Sequence, residues 1–205
     1  MQKPLIIIVI ALTFAAGLAL GLANRPAPAT LQAATHLMPA RDIAPFSLRT
    51  ANEAVLDNAA LEGNWTLVFF GFTNCPDICP TTLQLLSDAR DSLTDAEPAT
   101  ALPDILLISV DPERDTPQAL ADYAAYFGDA VYGATGDDAA IASIAADLGI
   151  VYVKVPLDDE GAYTMDHSGT VLLIDPNVRL RAVFTPPLSA ASIAYDLGII
   201  IGNAT

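Results

Sequence analysis

The sequence predicts an α/β sandwich preceded by a membrane-spanning helix, and three observations predict it. Residues 65–72 and 105–110 are short, unbroken apolar runs with the length and the aromatic or branched content of strands buried on both faces. Between them Leu83, Leu86, Ala89 and Leu93 recur at helical spacing. Far upstream, residues 5–22 are almost continuous Leu, Ile, Val, Ala, Phe and Gly, with Thr13 the only polar side chain.

The N-terminal run has about the 18 to 20 residues that a spanning helix requires. A cleavable signal peptide has a shorter apolar centre of roughly 7 to 15 residues, although Gly21-Leu22-Ala23 offers a weak cleavage site. Residues 1–24 are therefore read as an uncleaved anchor, with cleavage as the alternative. Lys3 precedes the run, and the positive-inside tendency places everything after it outside the cytoplasm, in the periplasm of a cell with an inner membrane. Arg25 pulls weakly the other way. Residues 25–44 are rich in Ala and Pro without an apolar period, which reads as a semi-extended tether containing a solvated His36. Residues 45–205 are left as the folded domain.

Within the domain, residues 65–72 form the first buried strand, bounded by Gly63-Asn64 and Thr73-Asn74. The leucine-spaced segment follows as a helix entered at Pro80, and residues 105–110 are the second buried strand. Thr116 before Pro117 marks an N-cap with proline at the first helical position, and Gly128 closes that helix. Asp137 and Asp138 open a further helix that ends at Gly149. Residues 151–155, 171–174 and 178–184 read as strands, the last two joined by the tight turn Asp175-Pro176-Asn177. Residues 189–201 are too short to span a bilayer and are broken by Asp196, so they read as a core-facing terminal helix.

Composition excludes whole classes of function. Hydrophobic residues make up 53% of the 205, which is incompatible with a disordered chain. With 24 acidic against 9 basic residues and no Lys/Arg run, the electrostatic footprint of a nucleic-acid binder is missing. Among charged residues, the first 25 positions hold only Lys3 and Arg25, so the acidity belongs to the exported part. A partner should then present a neutral or basic face.

The chemistry concentrates in Asn74-Cys75-Pro76-Asp77-Ile78-Cys79-Pro80, which holds both cysteines of the chain. Prolines 76 and 80 push the residue before each away from helical geometry, so the pair sits on a loop that enters the helix at Pro80. Cys79 is then near a helix N-terminus, where backbone N–H groups and the dipole are expected to lower a thiol pKa. A structural disulfide is the plain alternative. Closing so few residues, it would remove little unfolded-chain entropy.

His167 lies just before residues 171–174, at a strand end where function collects. Its plain reading is a half-exposed imidazole with a local hydrogen bond; its functional reading is a third ligand folding back on Cys75 and Cys79. Two thiolates and an imidazole suit copper, Cu(I) above all, and also zinc. A structural zinc would want a fourth strong ligand that the chain does not supply. Asp166 is a candidate to orient the imidazole, and Met165 to face the site. Asp111-Pro-Glu-Arg-Asp-Thr-Pro117 follows the second buried strand, which makes Asp111 a candidate neighbour of the site. The competing reading is helix capping plus a weak surface ion network of Glu113, Arg114 and Asp115.

Three segments, Phe70-Gly-Phe-Thr-Asn-Cys-Pro-Asp-Ile-Cys-Pro-Thr-Thr-Leu83, Ser109-Val-Asp-Pro-Glu-Arg-Asp-Thr-Pro117 and Asp166-His167-Ser168, resemble the signatures of the Sco/SenC proteins, which assist cytochrome c oxidase assembly. The likeness spans about residues 43–203 and extends to the anchor and tether. It implies a thioredoxin-like three-layer fold and one copper, Cu(I) or Cu(II), held by Cys75, Cys79 and His167. It also implies delivery of copper to the binuclear site of oxidase subunit II, or reduction of its thiols, with another copper chaperone or a thiol reductase as a further partner. Asn74 departs from the histidine that many relatives carry before the first cysteine. The alternative function is a thiol-disulfide oxidoreductase that cycles Cys75 and Cys79. A peroxidase reading has nothing but the thiols behind it.

Overall fold

Strand β4 (Thr66–Gly71) is buried at every position, and β5 (Asp104–Ser109) at every position after its first. Successive side chains of a strand point to opposite faces, so both faces of the sheet at its centre are covered and the fold has three layers. The computed structural model describes residue 17, residues 30–96 and residues 101–203, and residues 31–205 form one unit. The apolar run of residues 5–22, apart from residue 17, lies outside the described residues. Among the described residues, no helix is long and apolar enough to cross a membrane.

In chain order the strands are β1 (Ala34–Asp42), β2 (Ser47–Arg49), β3 (Val55–Asp57), β4, β5, β6 (Val131–Ala134), β7 (Tyr152–Pro156), β8 (Tyr163–His167), β9 (Val171–Ile174) and β10 (Arg179–Phe184). The α-helices are α1 (Asn58–Leu61), α2 (Ile78–Ala96), α3 (Pro117–Ala124), α4 (Asp138–Leu148) and α5 (Ala190–Gly202). Six strands form the central sheet in the order β1-β10-β9-β4-β5-β6. β4, β5 and β6 run parallel, connected through α2 and α3, while β9, β10 and β1 continue the sheet antiparallel. α2 and α5 pack on each other, and α3 packs on β5 and β6.

The caps behave as their residue types require. Thr116 accepts from Ala119 N at the start of α3, and Asp137 accepts from Ala140 N at the start of α4. Gly149 ends α4 in the left-handed region at φ 74°, which glycine occupies without penalty.

The tether assignment of residues 25–44 is corrected over residues 34–42, which form the edge strand β1 against β10. The sequence conceals it because the register shifts between His36 and Arg41 and the strand carries Pro39, which is compatible with an edge. His36 is accordingly half-buried in a sheet, opposite Ala182. Asp196, fully buried on α5, accepts from the backbone N–H groups of Gln32, Ala33 and Ala34, each at 2.7 Å. The acid that interrupts the apolar terminal helix therefore anchors the entry to β1.

Three strands, β2, β3 and β6, have no counterpart in the sequence reading, and neither does β8. Among the described residues, β7 and β8 pair only with each other, as a hairpin outside the central sheet. α2 begins at Ile78, earlier than Pro80, because a helix's first N–H groups need no partner and proline is tolerated there.

Candidate metal centre

Parallel β4 delivers the chain to the cysteines at the end of the sheet, where Thr73 and Asn74 lead into Cys75. The backbone N–H of Cys75 donates to Phe72 O at 3.3 Å, and that of Cys79 donates to Cys75 Sγ at 3.4 Å. Both thiols are free and both are buried, Cys75 at 9% exposure and Cys79 at 0%. Gly71 makes room for the inner one: a Cβ there would stand 2.9 Å from Cys79 Sγ and 3.0 Å from Phe69 Cε1. The signal available in the sequence was a glycine in the middle of an aromatic strand.

The third member arrives from β8. His167 Nε2 lies 3.4 Å from Cys79 Sγ, and one ligand atom from each of Cys75, Cys79 and His167 lies within 4.8 Å of the others. Among the described residues this is the group of three or more His, Cys, Asp or Glu side chains that can hold a metal ion. The opposite ring atom, Nδ1, lies 3.2 Å from Ser168 O. A carbonyl oxygen only accepts, so Nδ1 carries the proton and the neutral ring turns an unprotonated Nε2 toward the thiols. That is the tautomer a metal requires. The rings of Phe69 and Phe72 meet the imidazole edge-on at 5.7 and 5.9 Å.

Burial governs the protonation of both partners. It pushes the Cys79 thiol well above its ordinary value, with the hydrogen bond to Cys75 adding to the effect. The expectation that the helix N-terminus lowers this pKa is therefore corrected: Cys79 sits fully buried inside the first turn of α2, and desolvation wins. Burial also holds His167 below its ordinary value, against the opposing pull of Ser168 O and Asp166.

The remaining sequence candidates separate. Asp166 is exposed on the face of β8 opposite His167, and the orienting acceptor is Ser168 O rather than its carboxylate. Met165 shares the inward face of β8 with His167 and is buried. Asp111 does not reach the cysteines. Its carboxylate, 2% exposed, accepts from Arg114 Nε and from Tyr163 Oη. Asp115, equally buried, accepts from Thr73 N at 3.0 Å, Thr73 Oγ1 at 2.5 Å and Ser109 Oγ at 2.6 Å. Residues 111–117 are thus no loose surface network: Asp115 braces the loop before Cys75, Asp111 and Arg114 hold the hairpin bearing His167, and Thr116 caps α3. Tyr163 gave no signal in the sequence because its strand has no apolar alternation.

The sequence profile of the SCO1/SenC family matches residues 35–201. The human mitochondrial protein SCO1 homolog is 38% identical over 136 residues, which is 65% of this chain and 44% of that protein. The chain thus spans less than half the length of that relative. The crystal structure of Arabidopsis thaliana ScoI with copper bound superposes with a TM-score of 0.73 at 32% identity, covering 78% of this chain and 98% of that one. Bradyrhizobium japonicum ScoI with copper bound gives 0.66 at 35% identity, over 76% and 97%. The mixed α/β, thioredoxin-like architecture expected from the signature segments is the one found.

Proposed function

The chain belongs to the SCO1/SenC family, and from that premise we propose that it is a membrane-anchored copper metallochaperone whose cargo is held by Cys75, Cys79 and His167. The observation that carries this reading is the convergence of two thiols and an unprotonated Nε2 within 4.8 Å, on the scaffold of proteins solved with copper bound. Three soft donors without a fourth favour Cu(I) over a structural zinc. Binding displaces the thiol protons, and Nε2 offers its lone pair without losing one. Ile78 and Asp77, exposed between the cysteines, leave the loop open to an incoming ligand from a partner. The family resemblance names that partner as oxidase subunit II, in the course of cytochrome c oxidase assembly. The apolar run of residues 5–22 supports an anchor in the inner membrane with the domain in the periplasm, and the net charge of -15 supports a neutral or basic docking face.

The test is an anaerobic copper titration of the reduced full chain with metal quantification. About one tightly held Cu per chain is expected from the single ligand group; none, or a stoichiometry unaffected by loss of both cysteines, overturns the reading.

A second reading has its own observation. Cys75 and Cys79 are not bonded to each other, and their sulfurs lie within 4.8 Å. In a thiol-disulfide exchange they would give up two electrons and two protons to a partner's disulfide and close their own. Exchange that survives replacement of His167 while copper retention does not would show the two activities to be separable.

A further inference from the structure

Among the described residues, the β7–β8 hairpin pairs with no strand of the central sheet. A lone two-stranded hairpin is at best marginally stable in water, so other contacts must hold it where His167, its last residue, reaches the thiols. Side chains of residues 111–117 meet it on β7, where Lys154 Nζ donates to both carboxylate oxygens of Glu113 at 2.7 Å, and at the opposite end of β8, on Tyr163. Tyr163 Oη donates to Asp111 Oδ1 at 2.8 Å, and Arg114 Nη1 donates to Tyr163 O at 3.1 Å while its Nε donates to Asp111 Oδ2. The guanidinium also lies over the Tyr163 ring at 3.8 Å, and Lys154 Nζ over the same ring at 3.9 Å. Arg114 also lies 5.7 Å from the ring of Phe72, which itself meets His167.

Building on the copper reading above, we propose that Arg114 is a positioning residue for His167: paired with Asp111, it latches Tyr163 and so holds the hairpin's histidine against Cys75 and Cys79. Two ligands belong to the segment that joins β4 to α2, Cys75 on its loop and Cys79 in the first turn of the helix, and the third to a separately docked hairpin. Opening the latch removes His167 while leaving both cysteines in place, and takes the site from three donors to two. A planar fork that meets a carboxylate, a carbonyl and a ring at once suits this task better than an ammonium.

The test is a double-mutant cycle on the full chain with R114A, R114K, Y163F and H167A. R114A should speed copper loss to a competing chelator by about 10- to 100-fold, as for outer-shell partners of metal-binding histidines. R114K should fall between R114A and wild type, and Y163F should move in the same direction by less. Nitrogen coupling from the imidazole in the Cu(II) electron paramagnetic resonance spectrum should weaken in R114A. In the H167A background R114A should have no further effect, because its action passes through the histidine. Without copper, R114A should raise hydrogen exchange at residues 163–167 and leave residues 66–71 protected. The latch is overturned by intact imidazole coupling in R114A, by an equal loss of affinity with and without His167, or by unchanged exchange in the hairpin. If R114A does not fold, Y163F carries the same cycle. Failure of the copper reading is a different result: a wild-type chain that takes up no copper, or an H167A chain that holds it as tightly as wild type.

Discussion

Cys79 Sγ and His167 Nε2 stand 3.4 Å apart across 88 residues of chain. The thiol comes with a parallel strand and the helix that follows it, the imidazole with a hairpin outside the central sheet. The contact exists because Ser168 O accepts the hydrogen bond from Nδ1–H and because Gly71 leaves the sulfur its space.

Replacing His167 with Ala should weaken copper binding by more than the roughly 10- to 100-fold that outer-shell changes produce, since it removes a donor atom itself. Serine at Cys75 or Cys79 should abolish tight binding. Competition with a chelator of known affinity measures both, and wild-type retention in either variant contradicts the ligand set.

Gly71→Ala puts a methyl group 2.9 Å from Cys79 Sγ and 3.2 Å from Leu107 Cδ1. Overpacking of this kind costs about 1–3 kcal/mol. Urea denaturation should register the loss, and copper titration should show a weaker site because the sulfur has to move. Unchanged midpoint and affinity would mean the strand end yields freely.

Asp196→Ala removes the acceptor of three backbone N–H groups at 2.7 Å. Leaving a buried donor without its acceptor costs about 1–3 kcal/mol, so with three donors a destabilisation of at least about 3 kcal/mol is expected. Hydrogen exchange should rise first in residues 32–36. Exchange that stays at the wild-type rate there would assign the anchoring of β1 to its pairing with β10 alone.

Stability of the copper-free chain should fall at both ends of the pH scale. The folded Cys79 thiol has a raised pKa, so its contribution is complete below its ordinary value of 9.0 and is lost as pH climbs above it. The folded His167 has a lowered pKa, so the unfolded chain takes up its proton first, and stability is lost as pH falls below 6.5. Denaturation of wild type, C79A and H167A across pH checks this: each variant should flatten one limb and leave the other.

Much of the centre was legible because its determinants are local. The runs at residues 65–72 and 105–110 announce buried strands, and capping at Thr116, Asp137 and Gly149 follows from side-chain chemistry within one turn. The edge was not. β1 becomes a strand through β10 and Asp196, neither nearby in sequence, and β8 owes its place to Arg114 and Asp111. The protonation of Cys79 also escaped, since position on a helix suggests a lowered pKa while burial decides for a raised one.

From the sequence alone came the donor types and their order: two thiols four residues apart, an imidazole at a strand end, and an acidic domain behind an apolar run. These are properties of composition and short-range spacing. Tertiary structure alone decided that His167 presents Nε2, that residues 111–117 brace both halves of the site, and that the third donor rides on a hairpin latched by Arg114. Each of these depends on groups brought together by burial from distant points of the chain, and burial is settled only when the whole core closes.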